Sequence, residues 1–319
     1  MQYLDFIAQV HEHLKPRSYL EIGVHRGRSL VLASAPSIGV DPAYRIADEF
    51  TLGENVTLHR TTSEDFFASE NPLAPFAEPV VDLAFISRLH RFESVLADFV
   101  SIEPHTGPGS VVIIDDVLPR TVAEASRERA PGTWAGDTWK IVPALRAVRP
   151  DLILILVRAT PTGVLLVLGG DLTNTDLATA REHLLEQYRP EQEPPAEFVT
   201  RSTAVYPTWV VGAAFWEVLR RQREHGVTPA EGRAELLAAL QSWASTKLND
   251  KQAKAIHPSL IGKPRPAKPA AKKGSGTRPA SSHPGGGPRR VLNGVRWRLK
   301  KLVRVSKRAV AHRRKSGPA

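Results

Sequence analysis

The chain has 319 residues and no cysteine, and 42% of its residues are hydrophobic. This length allows one large domain or two ordinary ones, and the lack of cysteine excludes disulfides, thiolate metal sites and a cysteine nucleophile. The start of the chain carries an acid, Asp5, where a secretory signal would carry lysines, and no apolar run is long enough to span a bilayer. We therefore expect a globular, cytoplasmic protein.

Charge is distributed unevenly along the chain. Residues 251–319 contain 20 of the 43 Lys and Arg residues and none of the 33 Asp and Glu residues. The first 250 residues are therefore acidic, whereas the end of the chain is strongly basic. This asymmetry favours a tail with its own partner, or one that folds back on the acidic body.

Apolar residues at helical spacing over residues 3–15 predict a leading helix with a structural role. A short apolar run at residues 19–22 then predicts a buried strand, which breaks at Gly23 and turns past His25 and Gly27 into a helix that begins near Leu30. The spacing Glu21-x-Gly-x-x-x-Gly differs from the G-x-G-x-x-G fingerprint of dinucleotide-binding folds. A carboxylate beside the turn repels a pyrophosphate but attracts a sulfonium, so the turn favours S-adenosylmethionine.

A second apolar run, residues 37–40, ends in Asp41. Asp41 follows Glu21 by 20 residues, the separation at which a ribose-binding acid falls at the tip of the second strand. We therefore predict two carboxylates that frame one crevice. The alternative is that Asp41 only caps a polar helix that begins after Pro42.

Strands and helices alternate over the following residues. Apolar runs at residues 56–60, 80–86 and 110–114 predict three more strands, separated by a helix with Ser63 as its N-cap and a helix over residues 90–102. The runs at residues 152–157 and 164–168 are joined by so short a turn that they must pair antiparallel. The sequence therefore predicts an α/β fold, with a doubly wound, mostly parallel, seven-stranded Rossmann-like sheet that ends in an antiparallel hairpin.

Three segments now give the chain a resemblance to a known family. They are VDLAFISRLHRFE at residues 81–93, GSVVIIDDV at residues 109–117 and GDTWK at residues 136–140. Over about residues 15–170 the chain resembles bacterial class I S-adenosylmethionine-dependent methyltransferases, whose fourth strand usually ends Phe-Ile-Asp-Gly-Leu-His. The resemblance implies S-adenosylmethionine as the cofactor. It places the methionine end at Glu21, Gly23 and Gly27, the ribose at Asp41, and the adenine edge at Ser63 and Glu64. We also expect His25, in the glycine loop, and Ser87 to contact the cofactor.

The chain departs from this pattern at Ser87-Arg88, which stands where the family usually has Asp-Gly. In metal-dependent relatives such as catechol O-methyltransferases, the acid at this strand end and a pair of polar residues after the fifth strand hold Mg²⁺. Asp115 and Asp116 remain here, but the first ligand is a serine. We therefore predict no bound metal, although two adjacent acids leave a weak Mg²⁺ site open.

Three polar residues follow the carboxyl ends of predicted strands, where open α/β sheets bind ligands: His90, Asp115 and Asp116. We predict them as catalytic residues, with His90 as the general base that takes a proton from a substrate hydroxyl and Asp115 raising its basicity. The alternative is that His90 is a structural histidine, bonded to a backbone carbonyl at the start of a helix.

A glycine-containing loop follows the fifth strand and carries Trp134, Asp137, Trp139 and Lys140. Such a loop can cover a substrate, or Trp139 can simply anchor it in the core. We assign residues 1–170 to the methyltransferase domain and residues 171–250 to a helical extension, which we expect to act as a cap or an oligomer contact.

The end of the chain has two parts. Residues 251–288 are rich in Lys, Pro, Ala, Gly and Ser, which predicts a disordered linker. Residues 289–319 form a basic tail in which apolar residues over 289–315 share one helical face, with Trp297 at its edge. This pattern is typical of a helix that lies on an anionic membrane or on a polyanion, and a disordered solubilising tail is the alternative.

The sequence thus favours a methyltransferase that modifies a hydroxyl group of a small molecule or a glycan. Its expected location is the cytoplasm, with the inner membrane surface as a peripheral site. One rival is a binding protein that keeps the fold but has lost activity, and its motivation is Ser87-Arg88. The other is a nucleic-acid methyltransferase whose tail contacts phosphates. The sequence lacks the Asn-Pro-Pro-Tyr motif that would hold a flipped base, which disfavours this second rival.

Overall fold

The computed structural model describes residues 1–129 and 131–261. Seven strands form one sheet: β1 (Tyr19–Ile22), β2 (Ser37–Val40), β3 (Val56–His59), β4 (Leu83–Ile86), β5 (Val111–Asp115), β6 (Ile153–Val157) and β7 (Val164–Leu168). Their order is β3-β2-β1-β4-β5-β7-β6. The first five strands run parallel, while β7 pairs antiparallel with both β5 and β6. The predicted sheet and its terminal hairpin are therefore confirmed.

Ten α-helices flank the sheet within the described residues: α1 (Tyr3–Leu14), α2 (Ser63–Ala68), α3 (Phe92–Ile102), α4 (Ile141–Val148), α5 (Asp176–Tyr188), α6 (Ala196–Val199), α7 (Pro207–Val211), α8 (Phe215–His225), α9 (Pro229–Lys247) and α10 (Asp250–Ile256). None of the helices in these residues is long and apolar enough to cross a bilayer.

The sheet separates two apolar cores, as β6 shows. Leu154 and Leu156 contribute to the core that is shared with α3, α4 and α5. Ile153, Ile155 and Val157 contribute to the opposite core, which α1, α8, α9 and α10 cover. Because both faces of the sheet are buried, its strands read as continuous apolar runs instead of alternating ones.

The helices of residues 171–250 are part of the fold, which differs from the expected cap or oligomer contact. Trp216 and Leu219 of α8 and Leu236 and Leu240 of α9 are fully or almost fully buried in the second core. On this face of the sheet, the helix predicted from Leu30 is only a three-residue 3-10 helix, and no regular helix separates β2 from β3. The C-terminal helices cover the apolar surface that these short connections leave open.

The predicted linker begins too early. Residues 250–256 form α10, which Asn249 caps, and a 3-10 helix follows at Pro258–Leu260. Ile256 and Leu260 are buried in the second core, and this burial anchors a segment whose composition alone suggests disorder. The disorder prediction is therefore wrong for residues 251–261. The rest of the predicted linker and the basic tail lie outside the described residues.

Candidate active site

The glycine turn after β1 lies against the end of β4. Gly23 has a φ of +91° and Gly27 a φ of +79°, in the region that side chains disfavour. A Cβ at Gly23 would lie only 2.7 Å from the carbonyl carbon of Ser87, so no larger residue fits. Since β1 and β4 are the neighbours between which the strand order reverses, this turn lies where open α/β sheets bind ligands.

The carboxyl group of Glu21 lies beneath this turn and is fully buried. It accepts hydrogen bonds from the Tyr19 hydroxyl (2.6 Å) and from the Ser29 hydroxyl (2.7 Å). Burial raises the pKa of Glu21 to about 7, although both hydroxyls favour its charged form. The structure places this carboxyl group beneath the turn, and its contact with the methionine end of the cofactor stays a prediction.

Asp41 joins the glycine turn to the segment after β2. Its two carboxylate oxygens accept hydrogen bonds from the backbone N–H groups of His25 (2.8 Å) and Ala43 (2.7 Å). His25 is exposed and lines a cleft of about 530 Å³ together with Arg26, Ala43 and residues 45–49. No helix begins after Pro42, so the alternative role of Asp41 as a helix cap does not hold.

The sequence predicted Ser63 as the N-cap of α2, and this prediction is wrong. Thr62 is the cap, and its hydroxyl accepts from the N–H of Asp65 (3.1 Å). The buried Ser63 hydroxyl donates to Asp98 and accepts from the guanidinium of Arg88 (3.2 Å). Glu64, in contrast, is exposed beside it.

Two carboxyl groups end β5, and the hydroxyl of Ser87 faces the first of them. Ser87 donates to Asp115 (3.3 Å), which also accepts from the N–H of Asp116 (2.9 Å). Burial and the charge of Asp116 raise the pKa of Asp115 well above its usual range. Within residues 1–129 and 131–261, no group of three or more His, Asp or Glu side chains has the arrangement of a metal site.

His90 bridges two different elements. Its Nδ1 lies 2.8 Å from the carbonyl oxygen of Trp134, and its Nε2 lies 3.2 Å from Oδ2 of Asp116. Because a carbonyl can only accept, Nδ1 carries a proton and the other ring nitrogen faces the carboxyl group. The partner of His90 is therefore Asp116, not Asp115 as the sequence predicted.

Asp116 holds a proton more readily than an ordinary carboxyl group does. Burial raises its pKa to about 7, while a hydrogen bond from the Thr162 hydroxyl opposes this shift. A proton on Asp116 can therefore be donated to Nε2 of His90 near neutral pH. The indole ring of Trp134 stacks on the imidazole at 5.1 Å between centroids and covers one face of the pair.

The loop after β5 contributes Trp134 to the site, while its other predicted residues support it. Asp137 accepts from the N–H of Phe92 (2.8 Å), at the start of α3, and from Nζ of the buried Lys140 (2.9 Å). Trp139 is buried in the core beside the sheet, as the alternative reading expected. These contacts dock the loop on α3 and fix the carbonyl group that orients His90.

Sequence reasoning missed Tyr3, since the leading helix was expected to be structural. Its N–H donates to the carbonyl of Thr160 (3.0 Å), and its ring stacks on Phe85 at 6.5 Å. Burial and, to a smaller extent, the charges of Asp115 and Asp116 raise the pKa of its phenol to about 12. No motif marks the residue, because a tertiary contact between α1 and the β6–β7 turn places it.

Comparisons with known proteins agree with this architecture. Residues 20–117 match the family described as a methyltransferase domain. Similar solved structures include a methyltransferase of Podospora anserina bound to SAH (14% identity, 52% of this chain and 77% of that chain, TM-score 0.39). Another is the O-methyltransferase TomG of Streptomyces achromogenes in complex with SAM (16% identity, 52% and 78%, TM-score 0.39). A third is a putative caffeoyl-CoA O-methyltransferase of Staphylococcus aureus (17% identity, 52% and 81%, TM-score 0.39).

These structural matches are too distant to support an argument about the fold, which rests on the strand order itself. The comparison with curated proteins found no match. The family match covers β1 to β5 and includes the glycine turn, Asp41, His90 and both acids after β5. Over residues 20–117, the match and the strand order agree with the resemblance to class I S-adenosylmethionine-dependent methyltransferases seen in the sequence.

Proposed function

We propose that this protein transfers a methyl group from S-adenosylmethionine to a hydroxyl group of a small molecule or a glycan. The observation that carries the proposal is the pair of His90 and Asp116, 3.2 Å apart at the same sheet edge as the glycine turn. When bound, the cofactor supplies an electrophilic methyl group. The protein has to position an acceptor oxygen and remove its proton.

The residues at the turn fit this cofactor. Gly23 and Gly27 keep side chains away from the turn, and the neighbouring cleft of about 530 Å³ lies within the range of ligand pockets. Asp41 uses one acceptor site on each carboxylate oxygen for a backbone N–H, and a carboxylate has about four such sites. We assign the remaining sites of Asp41 to the ribose hydroxyls, and His25 and Ser87 to the walls of the same site.

The proton acceptor in this proposal is the His90–Asp116 pair. The Trp134 carbonyl holds the proton on Nδ1, so proton exchange takes place between Nε2 and Asp116. Above a pH of about 7 Asp116 has lost its proton, and the pair can take one from an acceptor hydroxyl. Asp115, next to the pair in the chain, is held by the hydrogen bonds that it accepts from the Ser87 hydroxyl and from the N–H of Asp116.

A bound Mg²⁺ does not fit these residues as it fits the metal-dependent relatives. Ser87 stands where the resemblance places the first carboxylate ligand, and its hydroxyl donates to Asp115. Mg²⁺ prefers carboxylate oxygens and water in near-octahedral geometry. We therefore propose that methyl transfer proceeds without Mg²⁺, and activity that disappears with EDTA and returns with Mg²⁺ would contradict this.

The experiment is a methyl-transfer assay with radiolabelled S-adenosylmethionine and a panel of catechols, phenols and sugars. We expect His90→Gln to lower kcat by about 10²- to 10⁴-fold, the usual contribution of a positioned base. His183→Gln is the matched control, since His183 is exposed on α5. A His90 variant with unchanged kcat would contradict the assigned base. Cofactor binding without transfer to any acceptor would favour the inactive binding protein.

The partner of the tail remains a separate proposal. We propose that residues 289–315 bind an anionic membrane surface at the inner side of the cytoplasmic membrane, through basic charge and apolar burial. Removal of residues 262–319 should abolish sedimentation with anionic liposomes. If the full chain instead binds nucleic acid with a steep salt dependence and no liposomes, the polyanion alternative and the nucleic-acid methyltransferase take its place.

A further inference from the structure

Arg88 occupies a place that a glycine usually leaves open. A Cβ at Gly23 would lie 3.0 Å from Cβ of Arg88, so the side chain of Arg88 begins directly beside the glycine turn. Its guanidinium ends at Ser63, with 3.2 Å between Nη1 and the Ser63 hydroxyl oxygen. The side chain thus spans the path from the proposed methionine end of the cofactor to the proposed adenine edge.

Buried partners fix this guanidinium from one side. Nη1 of Arg88 lies 3.9 Å from Oδ1 of Asp98, and Asp98 also accepts a hydrogen bond from Ser63. Asp98 is 1% exposed, and its second oxygen has no hydrogen-bond partner within the described residues. The side chain of Arg88 is 15% exposed, so one part of it stays open while the rest is held.

Most donors of this guanidinium are unused. Arginine has five N–H donors in a rigid plane, and only one hydrogen bond of the Arg88 side chain, to Ser63, occurs within residues 1–129 and 131–261. A purine offers ring nitrogens that accept hydrogen bonds and a flat face on which a guanidinium stacks. The carboxyl group of Asp98 also offsets the charge of Arg88, which reduces repulsion of a cationic sulfonium nearby.

From these contacts we propose that Arg88 is a cofactor-binding residue, which contacts the adenine ring of S-adenosylmethionine while Ser63 and Asp98 hold it in place. The proposal rests on the proposed function, because it needs the cofactor to lie along the glycine turn. In this proposal, Arg88 at the Ser87-Arg88 departure from the family pattern binds the cofactor. The alternative of an inactive binding protein instead interprets the same departure as a loss of activity.

The test is calorimetric titration of the full chain with S-adenosylhomocysteine and with 5′-methylthioadenosine, which keeps the adenine and ribose but lacks the amino-acid end. Arg88→Gly restores the residue of the family, and Arg88→Lys keeps the charge but loses the planar fork. We expect Arg88→Gly to weaken both ligands by a similar factor of about 10 to 100, and Arg88→Lys to weaken both by less. Arg91→Gln, at the exposed neighbouring arginine, should leave both affinities unchanged.

Three outcomes would overturn the proposal. Equal or tighter binding by Arg88→Gly would show that Arg88 only fills the groove. Loss of S-adenosylhomocysteine affinity without loss of 5′-methylthioadenosine affinity would place Arg88 at the amino-acid end. If the wild-type chain binds neither ligand, the proposed function fails first and this inference fails with it. Thermal unfolding of each variant identifies a loss of fold, and Arg88→Lys then carries the test.

Discussion

Substitution of Glu21 by glutamine tests whether a buried carboxyl group lies under the glycine turn. Glu21 is fully buried, and burial raises its pKa from 4.5 to about 7. A carboxyl group whose pKa is higher in the folded state than in the unfolded state stabilises the fold fully at a pH below its unfolded-state pKa. This stabilisation is lost as the pH rises through the folded-state pKa. For a difference of about 2.5 pKa units, the loss is about 3 kcal/mol.

Glu21→Gln removes this dependence and keeps the contacts, because an amide can accept from one of the hydroxyls of Tyr19 and Ser29 and donate to the other. We expect the free energy of unfolding of the variant, relative to wild type, to rise by about 3 kcal/mol between pH 4.5 and pH 8.5. Urea denaturation at a series of pH values measures it. Glu12→Gln, on the exposed side of α1, is the control and should show no such trend.

If the difference in free energy of unfolding between Glu21→Gln and wild type stays constant with pH, the reasoning is refuted. Such a result would mean that Glu21 is ionised at low pH like an exposed acid. The same variant tests the predicted attraction between Glu21 and the sulfonium. If Glu21 only holds the turn, affinities for S-adenosylmethionine and S-adenosylhomocysteine should both stay within about threefold of wild type. A selective loss of affinity for S-adenosylmethionine, the cationic ligand, would support the ligand contact that the sequence predicted.

Two further predictions concern the proton acceptor and the end of the body. The rate of methyl transfer should rise with pH and level off above about 7, because burial raises the pKa of Asp116 to that value. Asp116→Asn should remove this inflection and lower kcat by about 10²- to 10⁴-fold. An unchanged pH profile in the variant would exclude the His90–Asp116 pair as the proton acceptor. A chain that ends at Ile261 should keep its thermal stability and its affinity for S-adenosylhomocysteine. A chain that ends at Asn249 should have a free energy of unfolding about 3–5 kcal/mol lower, since it lacks the buried side chains of Ile256 and Leu260. Equal melting temperatures of the two truncated chains would contradict this.

The sheet could be predicted from the sequence because each strand carries its own local signal. Apolar runs such as residues 111–114 are flanked by turns, and the short turn between β6 and β7 forces an antiparallel pair. The helix expected from Leu30 has the right apolar residues but only three residues of 3-10 helix. Its length depends on which other helices cover that face, and periodicity does not report this.

The site was predicted in part, for a similar reason. Residues that follow strand ends were recognisable, because parallel strands bring their carboxyl ends to one edge. The choice between Asp115 and Asp116 as the partner of His90 depends on backbone direction after β5, which two adjacent identical residues do not reveal. Tyr3 and Arg88 are positioned by tertiary contacts with Thr160 and Ser63, and no local pattern encodes such contacts.

The most direct test of the central claim is a crystal structure of the full chain with S-adenosylhomocysteine. We expect the ligand to lie along the glycine turn, with its ribose at Asp41 and its sulfur directed towards the His90–Asp116 pair. We also expect open space beside that pair for an acceptor hydroxyl. A ligand bound elsewhere, or one whose sulfur faces away from His90, would contradict the account.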